Sequence, residues 1–476
     1  MGHLTVLGAA LALVLAPADA TAAEVTAAGS PSPAQAAFRE LYRELIETDT
    51  SVTTGSCTLL AQKIAIRFRA AGFAAEQLIQ FRDEALPLDG GLVVTVPGTS
   101  RSAKPMLLLG YLDVVNARPQ HWKTDPFKLV EKDGYFYGRG AAEMKSLDAI
   151  WIDTLLRLRA EGFKPKRTIK LALTCGGESG GRLNGVQWLA RNRPELLAAE
   201  FALNESGGGE TDGHGKVISQ TIAVGEMTMA NFDIEAFSPG GPGTIPIDDN
   251  AIYKIADALQ KVRTLKFPLR FNAATQRYFA QVGAQRGDAL GGAMVRLAAD
   301  PTDSAAEAMV SADRTYNALL HTHCAATLVQ GGYTLTALPQ TAKASINCYV
   351  LPGEDAETTR DALVKATGNP ELVISPLSGV RPVPVTPQLD PRILRPAEKL
   401  VARYFPGIRL VPGLSLTSTD AAFLGPLGIP AYGVPGLYTD PDGNNAHGQD
   451  ERQSVAGLYL ARDFVHDLVK AYAAQE

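Results

Sequence analysis

Histidine and cysteine are both scarce in this chain of 476 residues, which contains 7 histidines and 4 cysteines. So few cysteines exclude a zinc-finger array and a disulfide-framework protein. So few histidines also limit the number of imidazole-rich metal sites that the chain can form. Positive charge is not in excess either, because 45 lysines and arginines face 50 aspartates and glutamates. Without surplus charge to neutralise phosphates, a nucleic-acid partner is not expected.

Long hydrophobic runs are lacking, apart from one short run at residues 4–16. That run is too short to cross a bilayer and leads into small residues at A-x-A spacing, Ala18-Asp19-Ala20 and Ala20-Thr21-Ala22. This order is typical of a secretory signal peptide, which we place at residues 1–22. Because no lysine or arginine precedes the run, a buried N-terminal helix stays open as the alternative. The mature chain is expected to be exported, periplasmic or extracellular, without a membrane span.

With 46% hydrophobic and 20% charged residues, the composition is that of a globular protein with a large core. In an oxidising compartment, four cysteines favour disulfides. Cys324 and Cys348 lie in two strand-like runs close in sequence, so we favour their pairing, which leaves Cys57 with Cys175. Four free buried thiols are the alternative.

Strands and helices alternate along the first part of the chain, which predicts crossover units and a mainly parallel sheet in an α/β fold. The predicted strands are 91–96, 105–109, 168–174 and 200–203, and the predicted helices are 36–47, 58–71, 144–161 and 183–191. From residue 227 the order becomes βαββαβ, which indicates a small α+β module with a helix-rich insertion at 271–315. Alternation returns from residue 392. The predicted divisions are 23–226, 227–378 and 379–476.

Polar side chains occur where these strands end. Tyr111 and Asp113 follow one predicted strand, Glu178 and Glu205 follow two others, and Glu143 precedes a helix. A loop before the last helix carries His447. Ligands bind beyond the carboxyl ends of parallel strands, so we expect these side chains to converge. Carboxylates with one histidine at such an edge indicate a metal or acid–base site.

The order and spacing of these segments resemble the M20 family of dinuclear zinc peptidases and amidohydrolases, which includes glutamate carboxypeptidase, aminoacylase and deacetylase-type enzymes. The resemblance runs through nearly the whole mature chain. It also includes Trp122, Asp125-Pro126-Phe127, Gly138-Arg139-Gly140, Ser418-Thr419-Asp420 and Ala446-His447-Gly448. It implies a zinc-binding α/β domain interrupted by a smaller ferredoxin-like lid, and a homodimer formed through that lid.

The resemblance assigns metal-ligand positions to Glu143, Glu178, Glu205 and His447, and a ligand-orienting role to Asp113. Three further family positions carry different chemistry here. Tyr111 stands where a zinc-binding histidine is expected, Gly177 where the general-base glutamate is expected, and Pro242 where a lid histidine is expected. Two family substrate contacts, an asparagine and an arginine, align with Thr336 and Tyr349.

These replacements remove a metal ligand, a base and an oxyanion donor. A general base is worth about 10²–10⁴-fold and an oxyanion donor about 10²–10³-fold, so ordinary dizinc hydrolysis is not expected. We favour a non-catalytic or repurposed binding protein for a small-molecule or peptide ligand. The alternative is a mono-metal hydrolase of peptides or N-acyl amino acids, with Glu143 or Glu210 as a relocated base. One zinc ion is favoured over two, and an empty site stays open.

The remaining histidines show no ligand pattern. His321 and His323 are expected on a solvated strand face, because no acidic or cysteine partner has ligand spacing. His121, His214 and His466 are expected at the surface. The sequence thus leaves His447 as the one histidine of the candidate site.

Overall fold

The structure is a computed structural model that describes residues 31–178, 183–377, 381–382, 384–385 and 387–476. The predicted signal peptide and the predicted division at residue 378 lie outside the described residues. Within the described part of the chain, no helix has both the length and the apolar character that crossing a membrane requires.

The elements before residue 227 are α1 (Pro33–Glu47), α2 (Cys57–Ala70), β1 (Leu78–Asp83), β2 (Leu86–Val96), β3 (Met106–Tyr111), β4 (Val130–Lys132), β5 (Tyr135–Tyr137), α3 (Lys145–Ala160), β6 (Ile169–Thr174), α4 (Gly185–Asn192), α5 (Pro194–Leu197), β7 (Phe201–Asn204), β8 (Gly208–Thr211) and β9 (Val217–Glu226).

The middle of the chain forms β10 (Thr228–Phe237), β11 (Gly241–Pro242), α6 (Ala251–Thr264), α7 (Ala273–Arg286), α8 (Ala289–Ala299), α9 (Ser304–Ser311), α10 (Arg314–Leu320), β12 (His323–Gly331), β13 (Ala337–Leu338), β14 (Thr341–Val350), α11 (Ala356–Thr367) and β15 (Val373–Pro376). The last part forms α12 (Pro391–Tyr404), β16 (Leu410–Ser415), β17 (Ala431–Gly433), β18 (Tyr438–Thr439), β19 (Arg452–Ser454) and α13 (Val455–Ala473).

A large central sheet joins the first and last parts of the chain, with strand order β1-β2-β6-β3-β7-β17-β9-β8-β18 and with β16 paired to β9. Its middle strands β6, β3, β7 and β17 run parallel. The sheet confirms the predicted α/β class with a mostly parallel core. Because β6, β3 and β7 are parallel neighbours, their carboxyl ends meet at one edge, where the site is expected.

Helices pack on the sheet because their apolar residues recur at helical spacing. Helix α3 is buried over most of its length, and the indole of Trp151 donates to the backbone oxygen of Leu109, 3.2 Å away. Helix α13 begins at its N-cap Ser454, whose hydroxyl accepts from the backbone nitrogen of Gly457. These helices fix the starting points of the loops that carry the polar residues.

The α+β module is a separate antiparallel sheet with strand order β12-β14-β10-β15. Helices α6 and α11 complete the βαββαβ order that the sequence predicts, and their apolar faces share a core with the sheet. The helix-rich insertion is also present, as α7 to α10. The role of the module as a lid or dimerisation domain stays a prediction.

The structure differs from the sequence-based predictions in several strands and in the burial of one histidine. Strands β1, β8 and β16 to β18 were not predicted, because each is short or lies in polar, glycine-rich sequence. His466 was expected at the surface but is only 2% exposed, since it lies on the inner face of α13. Its Nε2 contacts Glu161 Oε1 at 3.0 Å, which gives the buried imidazole a polar partner.

Both favoured cysteine pairings are confirmed. Cys57 is bonded to Cys175, and Cys324 to Cys348 across the neighbouring strands β12 and β14. The first disulfide joins the start of α2 to the loop after β6. That loop carries Gly177 and Glu178, so this disulfide restrains the floor of the candidate site.

The two disulfides should differ in their contribution to stability. In the chain-entropy description, a larger closed loop restrains the unfolded state more. The sequence separations are 118 residues for Cys57–Cys175 and 24 for Cys324–Cys348. We expect the Cys57→Ser/Cys175→Ser variant to lose roughly 2–5 kcal/mol of unfolding free energy, and more than Cys324→Ser/Cys348→Ser loses. Denaturant unfolding of both variants measures this, and an equal loss would contradict the expectation.

Candidate functional site

A cleft of about 1360 Å³ opens at the carboxyl ends of β3, β6 and β7. Its floor consists of residues that follow these strands: Tyr111, Gly177, Glu178 and Glu205. Glu143, immediately before α3, and His447, in the loop before β19, also line it. The structure therefore brings together the residues to which the sequence assigns metal-ligand positions.

Tyr111 lies at the centre of the three glutamates. Its hydroxyl oxygen is 2.7 Å from Glu143 Oε1, 3.2 Å from Glu178 Oε2 and 3.3 Å from Glu205 Oε2. A phenol has one proton to donate, so its shortest hydrogen bond goes to Glu143. The hydroxyl takes the central position that a shared cation would need among these oxygens.

The protonation of this group follows from its burial. Burial and the neighbouring charges of Glu143, Glu205 and Glu178 raise the pKa of Tyr111 well above its ordinary value. Burial, followed by the charge of Glu143 and a hydrogen bond to it, raises the pKa of Glu205 well above its ordinary value. Tyr111 is therefore a neutral phenol at neutral pH, and burial disfavours the charged form of Glu205.

His447 contacts Glu178 through Nε2 and Oε1. The hydrogen bond to Glu178 raises the pKa of His447 above its ordinary value, against the opposing effect of desolvation. The contact with Glu178 therefore favours the protonated form of the imidazole.

Asp113 is fully buried and supports the loop after β6. Its carboxylate accepts from the backbone nitrogens of Gly177 and Glu178, at 3.1 and 3.2 Å. The guanidinium of Arg381 supports the same loop by donating to the backbone oxygen of Gly177 at 3.0 Å and to that of Ser418 at 2.9 Å. Sequence reasoning missed Arg381, because no motif marks it.

Gly177 has no room for a side chain. A Cβ atom there would lie 2.5 Å from Tyr111 Cδ1, 2.6 Å from Tyr111 Cγ and 2.8 Å from Asp420 Oδ2. The tyrosine ring therefore occupies the space that the Cβ atom of a glutamate at position 177 would need. The two departures from the family pattern, Tyr111 and Gly177, are sterically linked.

A buried ion pair that the sequence did not predict connects the loops of Glu143 and His447. Arg139 Nη1 donates to Glu451 Oε2 at 2.7 Å, and Arg139 Nη2 donates to the backbone oxygen of Gly448 at 2.7 Å. The Glu451 carboxylate also accepts from the backbone nitrogens of Gly140, Ala142 and Glu143. Its position next to His447 in sequence was the available signal. The pair fixes the backbone that presents Glu143.

Glu226 is a second buried carboxyl group that the sequence analysis missed. It ends β9 beside the link to the α+β module, is 7% exposed, and accepts from the backbone nitrogen of Thr419 at 3.2 Å. Burial raises the pKa of Glu226 to about 7, although the hydrogen bonds from Thr419 act in the opposite direction. Its charge is therefore costly in the folded chain at neutral pH.

The other predicted site residues divide into two groups. Tyr349 and Glu210 line the cleft. Thr336 and Pro242 are exposed and do not line the cleft. A hydrogen bond of 2.8 Å from the backbone nitrogen of Gly243 to the backbone oxygen of Thr336 joins their two segments. The structure does not bring Thr336 to this cleft, because the short β11–β13 pair, which joins two segments that are distant in sequence, lies in an exposed part of the module.

Cys57, Asp113 and Cys175 also place potential ligand atoms near one another beneath the loop. The two sulfur atoms are bonded to each other, so they are not thiolate ligands in this state. Asp113 is in addition hydrogen-bonded to the loop backbone. This group therefore connects the start of α2 to the loop after β6 beneath the site.

An interrupted α/β sheet with a carboxylate-rich cleft at its strand ends defines the class of zinc-peptidase-like hydrolase scaffolds. The family model of Peptidase family M20/M25/M40 matches residues 107–471. The chain therefore belongs to that family. Family membership is consistent with the expected fold and with the segments that form the cleft.

Relatives and solved structures agree with this assignment. The chain is 26% identical to the N-fatty-acyl-amino acid synthase/hydrolase PM20D1 of Xenopus tropicalis, over 79% of this chain and 74% of the relative. It superposes on the M20 metallo-carboxypeptidase Sso-CP2 of Sulfolobus solfataricus with a TM-score of 0.68, 15% identity and coverage of 92% and 99%. The Bacillus subtilis YXEP protein, described as a dinuclear metal-binding M20 peptidase, gives a TM-score of 0.55, 14% identity and coverage of 92% and 98%.

Substitution at Gly177 tests its steric link with Tyr111. Gly177→Ala should lower the unfolding free energy by about 1–3 kcal/mol, because the methyl group overlaps the tyrosine ring. In a Tyr111→Ala background the same change should cost less, with a coupling of about 1 kcal/mol or more. Denaturant unfolding of the four proteins measures the cycle. Gly292→Ala, at an exposed and open helical position, is the control, and additive effects at 111 and 177 would contradict the link.

Glu226 should make stability depend on pH. Its folded pKa is raised, so its favourable contribution is complete below the unfolded value near 4.5 and is lost as pH rises through about 7. The loss is about 3 kcal/mol. Glu226→Gln should therefore flatten the unfolding free energy across this range, measured by urea unfolding at several pH values. Glu76→Gln, at an exposed position, is the control, and parallel profiles for Glu226→Gln and the native chain would refute the assignment.

Proposed function

We propose that this chain is an exported ligand-binding protein on an M20 scaffold that does not carry out dizinc amide hydrolysis. One observation carries the proposal: the Tyr111 hydroxyl lies within 3.3 Å of carboxylate oxygens from Glu143, Glu178 and Glu205. A neutral phenol at that point donates its one proton to Glu143 and occupies the space between the oxygens that a metal ion would otherwise bind.

The donor set fits zinc poorly. Zinc sites prefer tetrahedral nitrogen and sulfur ligands, with carboxylates completing the set, whereas this group offers one imidazole and three glutamates. A cation among the glutamates would have to displace the phenol, whose ring is packed against Gly177. We therefore assign no catalytic step to a metal in this cleft.

The position of the family base supports the same proposal. Gly177 has no side chain, and the tyrosine ring excludes one there. Glu143, proposed above as a relocated base, accepts the hydrogen bond of Tyr111. Glu210 lines the cleft on β8 and makes no described hydrogen bond to Tyr111.

The cleft indicates the class of ligand. Its volume of about 1360 Å³ exceeds the roughly 300–1000 Å³ of sites for drug-sized molecules. Its walls combine apolar side chains such as Ile218, Met229 and Val411 with the polar floor. An amphipathic ligand such as a peptide or an N-acyl amino acid fits both parts. The names of the PM20D1 relatives, which refer to N-fatty-acyl amino acids, support this choice.

Export is part of the proposal. The two disulfides suit an oxidising compartment, since they are uncommon in cytosolic proteins. They add to the signal-peptide pattern at residues 1–22, and the periplasm or the extracellular space is the proposed location.

Zinc content tests the proposal. After equilibration with zinc and dialysis, the native chain should retain well below one zinc ion per molecule, measured by plasma mass spectrometry. It should also fail to hydrolyse N-acyl amino acids above background. Tyr111→His removes the phenol and supplies an imidazole, so it should raise the zinc content towards one ion per chain. Tyr349→His makes the same change on the cleft wall and should leave the zinc content low.

Two results would overturn the proposal. Stoichiometric zinc in the native chain, with amide hydrolysis that disappears in Glu178→Ala, would establish the mono-metal hydrolase instead. Equal zinc uptake by Tyr111→His and Tyr349→His would show that the phenol does not control the metal site.

A further inference from the structure

The helical insertion, α7 to α10, contacts both parts of the molecule. Its helices contribute Phe279, Met294, Leu297 and Leu320 to one buried apolar cluster. The same cluster contains Leu414 from β16 of the central sheet and Leu351 from the end of β14 in the α+β module. Met227, in the link between β9 and β10, is also fully buried in it. One core therefore spans the junction of the two parts.

Packing contacts and ion pairs join the insertion to both parts of the molecule. On the side of the central sheet, the ring of Tyr278 packs over Gly413, and Arg277 forms an ion pair with Glu398 of α12 at 3.4 Å. Towards the module, Arg270, just before α7, pairs with Glu354 at 3.3 Å. Thr322, just after α10, donates its hydroxyl to Glu354 at 2.5 Å. Thr322 also accepts from the backbone nitrogen of Leu351 at 3.0 Å.

The insertion also forms part of the cleft wall. Tyr278, Val282 and Tyr316 line the cleft together with Met229 and Tyr349 of the module. The central sheet and its loops contribute other lining residues, among them Glu178, Glu205 and Val411. The width of the cleft consequently depends on the position of the module, and the insertion contacts both sides.

We propose that the insertion, residues 273–320, is a brace that locks the α+β module against the central sheet, so that the cleft keeps one fixed width. Two bodies joined only by short links are expected to move relative to each other unless a large apolar interface opposes the motion. Here the cluster around Phe279 and Leu414 provides that interface. The inference concerns the scaffold and does not rest on the proposed function.

Distance measurements test the brace directly. Spin labels at Ile66→Cys on α2 and Val364→Cys on α11 report the separation of the two parts, since both positions are exposed. The described cysteines are all disulfide-bonded, so the labels should attach at the new thiols. The native background should give one narrow distance distribution. Leu414→Ala should give a distribution about twofold broader or a second distance, because it opens the junction cluster.

Leu468→Ala is the matched control, because it removes the same side chain from the fully buried core around α13. It should lower the unfolding temperature without changing the distance distribution. Phe279→Ala is the second junction variant, in case Leu414→Ala does not fold, and should also broaden the distribution. A native distribution that is already broad, or junction variants that behave like Leu468→Ala, would overturn the brace.

Discussion

The candidate site depends on one constraint: three glutamate side chains converge on a point where protons and a phenol are the available counter-groups. Like charges this close and this deeply buried cannot all remain ionised. The structure relieves the repulsion with the Tyr111 hydrogen bond to Glu143, the raised pKa of Glu205 and the contact of His447 with Glu178. Hydrogen bonds therefore link Tyr111 with the glutamates and His447 with Glu178 at this point.

The Tyr111 ring also restricts the backbone of the loop after β6. The ring that places the Tyr111 hydroxyl among the carboxylates also excludes a side chain from position 177. Asp113 and Arg381 then hold the glycine-bearing loop through backbone groups, which any residue at 177 would present. The residues at positions 111 and 177, which both differ from those that the family resemblance leads us to expect, are consequently linked sterically. Restoring the base alone would collide with the ring.

The sequence predicted the α/β class, the βαββαβ module, the helical insertion and both disulfides, because strong periodicity and close strand pairs determine them. It also identified Tyr111, Glu143, Glu178, Glu205 and His447, since polar residues that follow predicted strands can be recognised in the sequence. It missed Arg381, Glu226 and the role of Glu451, because their hydrogen bonds to Gly177, Thr419 and Glu143 join residues that are distant in sequence. The surface position expected for His466 is wrong for a related reason, because tertiary packing decides which face of a helix is buried.

Buried polar contacts hold the loops around the candidate site and contribute to the stability of the fold. Arg139 and Glu451 form a buried ion pair, and removing one partner of such a pair typically costs about 3–5 kcal/mol. Asp113 satisfies two backbone nitrogens in the same region, and Lys145 donates to the backbone oxygens of Leu45 and Thr48. These contacts account for the stability of the loops around the cleft, whereas the contact of the Tyr111 ring with Gly177 determines the space that is available at position 177.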